Sequence, residues 1–317
     1  MNEEKSGRER RTAILAALLV TVLWSTSWVL IKVGLKEIPA LSFAGLRYAL
    51  ATLFLFPFFL RSGGLADLRR LSAGRWGELV LLGVTFYALT QGAQFLALSY
   101  LPAVTVNLLL GLTSPVVALV GIPVLSERPV PRQWMGLGLS AAGVLVYFGP
   151  GAVSSGSPLG LLTAGIGVLA NAGSSLLGRR VNRRGDLSPL TVTTVSMGVG
   201  AILLLATGWA LQGIPPMGWE EWGIVAWLAL LNTALAFTLW NRTLRVLTAM
   251  ESSLINTAMM VEIPILAVLF LGERPAAVEL AGMALVVTGI VLVELCPAWR
   301  RREGQPRPRP PVTGRRD

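Results

Sequence analysis

Ser126-Glu127-Arg128-Pro129 and Gly272-Glu273-Arg274-Pro275 are two copies of one motif, 146 residues apart. Three further identities occur at the same offset: Ala103 with Ala249, Gly136 with Gly282, and Gly143 with Gly289. Self-similarity at a fixed offset indicates a duplicated structural unit. The sequence therefore predicts two homologous halves, about 13–149 and 158–296.

The composition around this repeat predicts a membrane protein. The 317 residues are 53% hydrophobic and 14% charged, with a mean hydropathy of +0.65, which is too apolar for a soluble globular domain. Apolar runs of about twenty residues, separated by charge clusters and by Pro or Gly, predict ten membrane-spanning helices. We place these helices near 13–33, 40–60, 77–99, 103–125, 133–149, 158–178, 189–211, 222–241, 250–271 and 277–296.

The predicted fold class is an all-α polytopic membrane protein made of ten transmembrane helices in two inverted five-helix repeats. Because five is an odd number of crossings, the second half enters the bilayer from the side opposite to the first. The segments outside the repeats are an N-terminal tail (1–12), an external linker (150–157) and a basic C-terminal tail (297–317), which its Arg/Pro-rich composition predicts to be disordered.

The basic residues predict the orientation, because cytoplasmic loops collect Lys and Arg. With the N-terminus inside, all of the 27 basic residues except Lys32, Lys36, Arg47 and Arg274 fall in cytoplasmic segments. Both termini then lie in the cytoplasm, and the protein is expected in the cytoplasmic (inner) membrane of the cell. The net charge of +10 is accounted for by topology and by attraction to anionic lipid, so no nucleic-acid partner is predicted.

Several function classes are excluded by what the chain lacks. It has no histidine and a single cysteine, Cys296, so Ser-His-Asp and Cys-His catalysis and histidine-ligated metals are ruled out. No cofactor or metal is expected, and the chain is not predicted to be an enzyme. Inverted repeats let two halves exchange conformations around a midplane site, which favours a transporter.

Several motifs together resemble a known family. They are Trp24-Ser25-Thr26-Ser27-Trp28, Lys32-Val33-Gly34-Leu35, Arg47 after Pro39 and Phe43, Leu98-Ser99-Tyr100-Leu101-Pro102-Ala103, Pro115, and the paired Glu-Arg loops. This pattern resembles the ten-helix EamA-like branch of the drug/metabolite transporter superfamily. The resemblance implies a permease or exporter of amino acids or related small metabolites, with a central cavity lined by helices 1, 3, 4, 6, 8 and 9. The chain departs from four-helix multidrug relatives, because helix 1 lacks their proton-handling carboxylate.

Polar side chains on matching helix faces are the predicted lining of the cavity, since polar groups in hydrocarbon need a partner or water. On helix 3, Tyr87, Gln91 and Gln94 share one stripe at i, i+4 and i+7. The alternative is that such residues only bond helix to helix, and that Trp24 is an interfacial anchor instead of a cavity wall. The full set of candidate substrate-binding residues is Trp24, Ser27, Tyr87, Gln91, Gln94, Asn107, Asn171, Trp240, Asn256 and Thr257.

Four charged residues have separate predicted roles. Glu262, about 16 Å along helix 9, lies near the membrane centre and is either a proton-coupling or amine-binding carboxylate, or a structural partner. It points away from the polar stripe unless Pro264 kinks the helix. Arg47 is expected to snorkel outward or to bind a structural carboxylate, the alternative being attraction of anionic substrates. Glu127 and Glu273 are expected to cap helices 5 and 10, or to gate.

The predicted function is therefore a solute carrier whose partners are a small-molecule substrate and the lipid bilayer. Proton-coupled and facilitated transport are both open, as are a monomer and a homodimer. A passive channel is the nearest rival, and it would show flux without saturation or counter-transport. An integral membrane enzyme acting on lipid would need reactive residues converging at one interface. A receptor or scaffold would bind a solute without moving it.

Overall fold

The computed structural model describes residues 2–125, 131–152, 157–243, 246–247 and 255–294, and within these ranges the secondary structure is helical. Three helices, α4, α10 and α11, run without interruption from α-helical into π-helical segments. The helices are α1 Asn2–Gly34, α2 Ala40–Arg61, α3 Gly64–Arg69, α4 Ala73–Tyr100, α5 Ala103–Gly111, α6 Thr113–Leu125, α7 Pro131–Ala152, α8 Pro158–Arg183, α9 Pro189–Gln212, α10 Trp219–Ala229 continuing through Leu230–Leu235 and Ala236–Thr243, α11 Met259–Leu266 continuing through Ala267–Leu271, and α12 Ala277–Glu294.

Local sequence sets where several of these helices begin. Ser157 and Ser188 precede α8 and α9, and each side chain accepts a hydrogen bond from the backbone N–H three residues on. Each serine is followed by a proline at the first helical position, which has no N–H to leave unsatisfied. At the other end of α9, Gly213 takes a φ of +78°, a left-handed conformation that glycine adopts without steric cost.

Each of the ten predicted segments is helical over its described residues, apart from single-residue turns at Leu112 and Ala258 and the non-helical backbone of Gly149 (φ +45°). In the part of the chain that the structure describes, six helices are long and apolar enough to cross a bilayer, and three further apolar helices are shorter. The described residues therefore form an all-helical, multi-pass membrane protein, and ten crossings remains a prediction. The short α3 was not predicted, and α1 begins at Asn2 instead of near 13. Residues 153–156 of the linker and the whole C-terminal tail lie outside the described residues.

Two pairs of helices that occupy the same position in the two repeats pack directly on each other. Across α7 and α12, Gly136 faces Gly289 and Gly143 faces Gly282, so the two helices run antiparallel. At the 146-residue offset Gly136 corresponds to Gly282 and Gly143 to Gly289, so each helix offers its partner the same pair of glycines. Reciprocal contacts of this kind are what a two-fold axis between equivalent units produces.

The second pair, α2 and α9, follows the same rule. Gly45 of α2 lies against Leu205 of α9, and Gly208 of α9 lies against Ser42 of α2, which again makes the helices antiparallel. Small residues allow two helix backbones to approach closely in a membrane, where packing replaces the hydrophobic driving force. These two interfaces hold the repeats together and leave α1, α5, α6, α10 and α11 to form the site.

Candidate functional site

Two helices of the bundle contain a tight turn at equivalent positions, Leu112 and Ala258, where the backbone angles stay in the right-handed helical region; we call these two turns breaks. The N–H of Leu112 donates to the carbonyl of Leu109 at 3.0 Å, and the N–H of Ala258 donates to the carbonyl of Ile255 at 3.0 Å. Both bonds close tight turns between helical segments, and the repeat offset carries the first pair onto the second. Discontinuous helices in corresponding positions of two inverted halves are a feature of substrate and ion sites in transporters.

Glu262 lies four residues after the break at Ala258, and its carboxylate faces α1. Its Oε2 accepts a hydrogen bond from Ser25 Oγ at 2.8 Å. Its Oε1 lies 3.0 Å from Thr21 Oγ1, whose single proton is shared with the carbonyl of Leu18 at 2.8 Å. Both hydroxyl residues are fully buried, and Glu262 is half-buried. Among the described residues no lysine or arginine forms an ion pair with it. Among the described residues, neutral donors therefore hold this carboxylate.

Thr21 and Ser25 were not among the predicted site residues. Their spacing of four positions indicated that both lie on one face of helix 1. The residues predicted from that helix were Trp24 and Ser27 instead. Helical periodicity predicted that Glu262 points away from the stripe of its own helix, but it could not say which helix the carboxylate would meet.

A second polar contact joins α1 to α10. The side-chain amide of Asn232 donates to the carbonyl of Leu23 and, at 3.2 Å, to Thr26 Oγ1. Asn232 is fully buried, and its Oδ1 has no hydrogen-bond partner in the described part of the chain. Because Ser25 and Thr26 are about 100° apart around a helix, Glu262 and Asn232 approach α1 on neighbouring faces.

An aromatic cluster extends the contact between α1 and α10 along α10, one to two helical turns beyond Asn232. Trp24 packs on Phe237 and Trp240, with ring centroids 5.4 and 5.3 Å away. Trp24 and Trp240, both predicted cavity residues, are thus brought together, and each is half-buried. They form an apolar wall beside the polar groups of α1.

The predicted stripe on helix 3 is wrong at Tyr87. Gly83–Gln91, within α4, is a π-helix, whose i→i+5 hydrogen bonds change the spacing on which the stripe was based. Tyr87 is buried against the Tyr48 ring at a centroid distance of 5.4 Å and packs on Gly200. Leu230–Leu235 of α10 is also π-helical, and the repeat offset places it inside the equivalent of Gly83–Gln91. The two repeats therefore share this distortion as well.

The other predicted substrate residues have varied surroundings. Asn107 is buried with its Nδ2 unpartnered among the described residues, and Asn171 Nδ2 donates to Thr113 Oγ1 at 3.3 Å, next to the break at Leu112. The Ser27 hydroxyl donates to the Trp24 carbonyl of its own helix. Gln91, Gln94 and Thr257 are half-buried, and Asn256 is exposed.

Glu273 caps a helix of the other repeat. Its two carboxylate oxygens accept hydrogen bonds from the N–H groups of Ala103 at 2.6 Å and Val104 at 3.0 Å, in the first turn of α5. The expectation that it caps its own following helix is wrong, because Glu279 accepts the bond from Ala276 N there at 2.7 Å. Glu127, the equivalent residue of the first repeat, lies outside the described residues.

Lys32 lies at the same end of the bundle as Glu273. Its ammonium donates to the carbonyls of Leu98 at 2.5 Å and Leu101 at 2.6 Å, where cations complement the negative end of a helix dipole. A cavity of about 530 Å³ opens beside Lys32 and Glu273. Lys32 thus links α1 to the end of α4. Glu273, which precedes α12, links that helix to the start of α5.

Arg47 does not match its preferred prediction. It is 5% exposed, so it does not snorkel, and among the described residues no carboxylate lies within ion-pair distance. Its Nε donates to Thr233 Oγ1 at 3.0 Å, and its guanidinium lies 5.4 Å from the centre of the Tyr48 ring.

An ion-pair network that the sequence did not reveal lies at the start of α4. Arg75 donates to Glu78 and, through Nε at 2.9 Å, to Asp186 in the connection between α8 and α9. Arg184 adds a 3.2 Å contact to Glu78. The network links the first repeat to the second. In the described part of the chain, no cluster of three or more histidine, cysteine, aspartate or glutamate side chains could hold a metal.

The model of the EamA-like transporter family matches this chain twice, over residues 11–149 and 158–295. An "Uncharacterized transporter" of Archaeoglobus fulgidus is 25% identical and aligns over 89% of this chain and 96% of its own. The "Uncharacterized inner membrane transporter YedA" of Escherichia coli K12 is 25% identical over 88% and 90%. A "Probable terminal-alkyne amino-acid exporter" of Streptantibioticus cattleyicolor is 27% identical over 92% and 96%.

One solved crystal structure has the same fold. It superposes with a TM-score of 0.64 at 22% identity and covers 89% of this chain and 97% of the solved chain. At that identity the likeness concerns the fold alone.

Proposed function

Because this chain belongs to the EamA-like transporter family, we propose that it is a carrier of small metabolites, most directly amino acids or related compounds, working by alternating access between its two repeats. The observation that carries this proposal is the pair of breaks at Leu112 and Ala258, with Glu262 one turn beyond the second. The breaks are equivalent in the two repeats, so each repeat brings its own flexible point to the same central region. Rocking about them would open the region to one side at a time.

The proposed topology is ten crossings in two inverted repeats, with both termini cytoplasmic. It is supported by the distribution of basic residues and by the antiparallel packing of α7 on α12 and of α2 on α9. Within the described ranges, six of the ten segments have the length and composition of a span, and the shorter ones include the two helices with the tight turns at Leu112 and Ala258.

Cysteine labelling tests this topology. We expect Arg128→Cys and Arg274→Cys, each in a Cys296→Ala background, to react with a membrane-impermeant maleimide from opposite sides of the membrane. In spheroplasts or right-side-out vesicles only position 274 should label, and in inverted vesicles only position 128. Labelling of both positions from the same side would contradict the inverted arrangement.

The proposed substrate class rests on the family and on the exporter from Streptantibioticus cattleyicolor, which is 27% identical to this chain. A carboxylate held by neutral hydroxyls can bind either a proton or a substrate ammonium group, so Glu262 is proposed as the coupling residue. Trp24, Phe237 and Trp240 would supply the apolar wall, and Asn107 and Asn171 would supply hydrogen bonds near the break in the other repeat.

A counterflow experiment decides between this carrier and a passive channel. Purified protein in proteoliposomes preloaded with an unlabelled amino acid should accumulate the same labelled amino acid transiently above its outside concentration. A carrier should also saturate as the outside concentration rises. We expect both results for at least one member of a panel of neutral amino acids. Flux that rises linearly without overshoot would assign a channel, and binding without any flux would assign a receptor.

A further inference from the structure

Two arginines are buried to a similar degree, Arg75 at 7% exposed and Arg47 at 5%, but in the part of the chain that the structure describes only Arg75 has a counter-ion. Arg75 binds two carboxylates, those of Glu78 and Asp186. Arg47 has, among the described residues, no carboxylate within ion-pair distance. Its contacts are a neutral hydroxyl, that of Thr233, and a neutral ring, that of Tyr48.

The Thr233 hydroxyl cannot act as a substitute anion, because its own proton is already committed. It donates to the carbonyl of Leu228 at 2.9 Å and accepts from Arg47 Nε at 3.0 Å. This pair of bonds fixes the direction of the hydroxyl and holds the guanidinium by its Nε edge. The remaining N–H groups of the guanidinium form a fork that matches a carboxylate or similar oxyanion.

An unpaired buried guanidinium is costly, because the protein interior repays desolvation of a charge only through a partner. At Arg75 the fold supplies that partner from its own carboxylates. At Arg47 the described residues supply none, although the site is buried more deeply. Within the described ranges, the charge of Arg47 is thus left without a balancing anion.

The location of Arg47 connects this missing anion to the proposed transport route. Thr233 lies in the π-helical part of α10, and its neighbour Asn232 bonds to α1 at Leu23 and Thr26. Asn232 also keeps a buried Oδ1 without a partner in the described part of the chain. Arg47 and α1 therefore contact neighbouring residues of α10, Thr233 and Asn232. π-helical turns in membrane and soluble helices are frequent at functional sites.

We infer that Arg47, held by Thr233, binds an oxyanion of the cargo, and that solutes carrying a carboxylate are selected over matched solutes without one. This inference rests on the proposed carrier function and deepens it. The cargo's carboxylate supplies the counter-ion that Arg75 receives from Asp186 and Glu78. Solutes without that group leave Arg47 unpaired and bind more weakly.

The test compares acids with their amides, which differ only in the carboxylate. Three pairs cover a range of side-chain sizes: glycine and glycinamide, leucine and leucinamide, phenylalanine and phenylalaninamide. Apparent affinities are measured from ligand-induced shifts in the thermal midpoint of the purified protein in detergent. For at least one pair we expect the acid to bind about 10-fold or more tightly than the amide, a factor equal to about 1.4 kcal/mol.

Variants then assign that preference to Arg47. Arg47→Gln should remove the acid-over-amide preference, Arg47→Lys should retain part of it as a point charge, and Thr233→Val should weaken it by releasing the guanidinium. Arg75→Gln is the matched control: it should lower the midpoint without ligand and leave the preference unchanged. If Arg47→Gln does not fold, the Lys and Val variants carry the test.

Three results would overturn the inference: no acid preferred for any pair up to its solubility limit, a preference that survives in Arg47→Gln, or an equal Arg47-dependent shift with sodium chloride alone. Counterflow by the same preparation separates this failure from failure of the carrier proposal. Counterflow without acid preference would contradict the role of Arg47 and support the carrier proposal. Arg47-dependent acid binding without counterflow would support the role of Arg47 and contradict the carrier proposal.

Discussion

Replacing Glu262 by glutamine is expected to abolish the dependence of uptake on an imposed pH gradient, while leaving exchange of labelled for unlabelled solute intact. Glutamine keeps the size and one acceptor oxygen of the protonated acid, but it cannot release a proton. Concentrative uptake in proteoliposomes should therefore fall to the level reached without a gradient. Counterflow needs only a binding site that alternates, so it should continue at a comparable rate.

The contacts of Glu262 are what the proposed coupling role depends on. An ionised carboxylate near the bilayer centre costs about 2.5–3.5 kcal/mol on insertion scales. Hydrogen bonds to a charged group contribute about 1.5–3 kcal/mol each. Ser25 Oγ donates one to Glu262, and Thr21 divides its single proton between Glu262 and the carbonyl of Leu18. No lysine or arginine of the described residues forms an ion pair with the carboxylate, so Glu262→Gln removes the charge without leaving a cation unpaired.

Glu279→Gln is the matched control for this prediction. Glu279 also accepts a hydrogen bond through its carboxylate, but from the backbone N–H of Ala276 at the start of α12, away from α1. It should leave gradient-driven uptake unchanged apart from any loss of stability. If Glu262→Gln still accumulates solute in response to the gradient, proton coupling is not carried by Glu262, and its hydroxyl contacts are structural.

The helices could be predicted from sequence because hydrophobicity and proline or glycine punctuation are local. The segments 40–60, 103–125 and 189–211 lie within a few residues of the helices found, and the turn at Leu112 alone interrupts them. The repeat was readable for the same reason, because equal residues at equal offset need no knowledge of packing. Its outcome, the reciprocal contact of Gly136 with Gly289, follows from the symmetry of the duplication.

The site was harder to predict because its decisive contacts join residues far apart in the chain. Glu262 and Thr21 are separated by 241 positions, and Glu273 caps Ala103 from 170 positions away. Helical periodicity gives the face on which a residue lies, but not the helix that faces it. At Tyr87 even the face was wrong, because a π-helix replaced the assumed α-helical spacing.

The second large effect is expected at the interface between α7 and α12. A single methyl group at Gly143 would place its Cβ 2.6 Å from the carbonyl oxygen of Gly282 and 2.7 Å from the backbone nitrogen of Val286. Neither backbone atom can rotate away, so α7 and α12 must separate. We expect Gly143→Ala to destabilise the protein by about 1–3 kcal/mol or more, measured as a lower thermal midpoint in detergent by size-exclusion chromatography.

Gly138→Ala on the same helix should have the opposite sign. Nothing lies within 4 Å of a Cβ built there, so the substitution only removes the conformational freedom of glycine in the unfolded chain. It should raise the free energy of unfolding by about 0.5–1 kcal/mol.

The repeat predicts a third result at Gly289, which is equivalent to Gly143. A Cβ at Gly289 would lie 2.6 Å from the carbonyl oxygen of Gly136. Gly289→Ala should therefore lower the midpoint as Gly143→Ala does. Equal midpoints for Gly143→Ala and Gly138→Ala would mean that α7 and α12 are not in contact through these glycines, and the two-fold relation between the repeats would lose its main support.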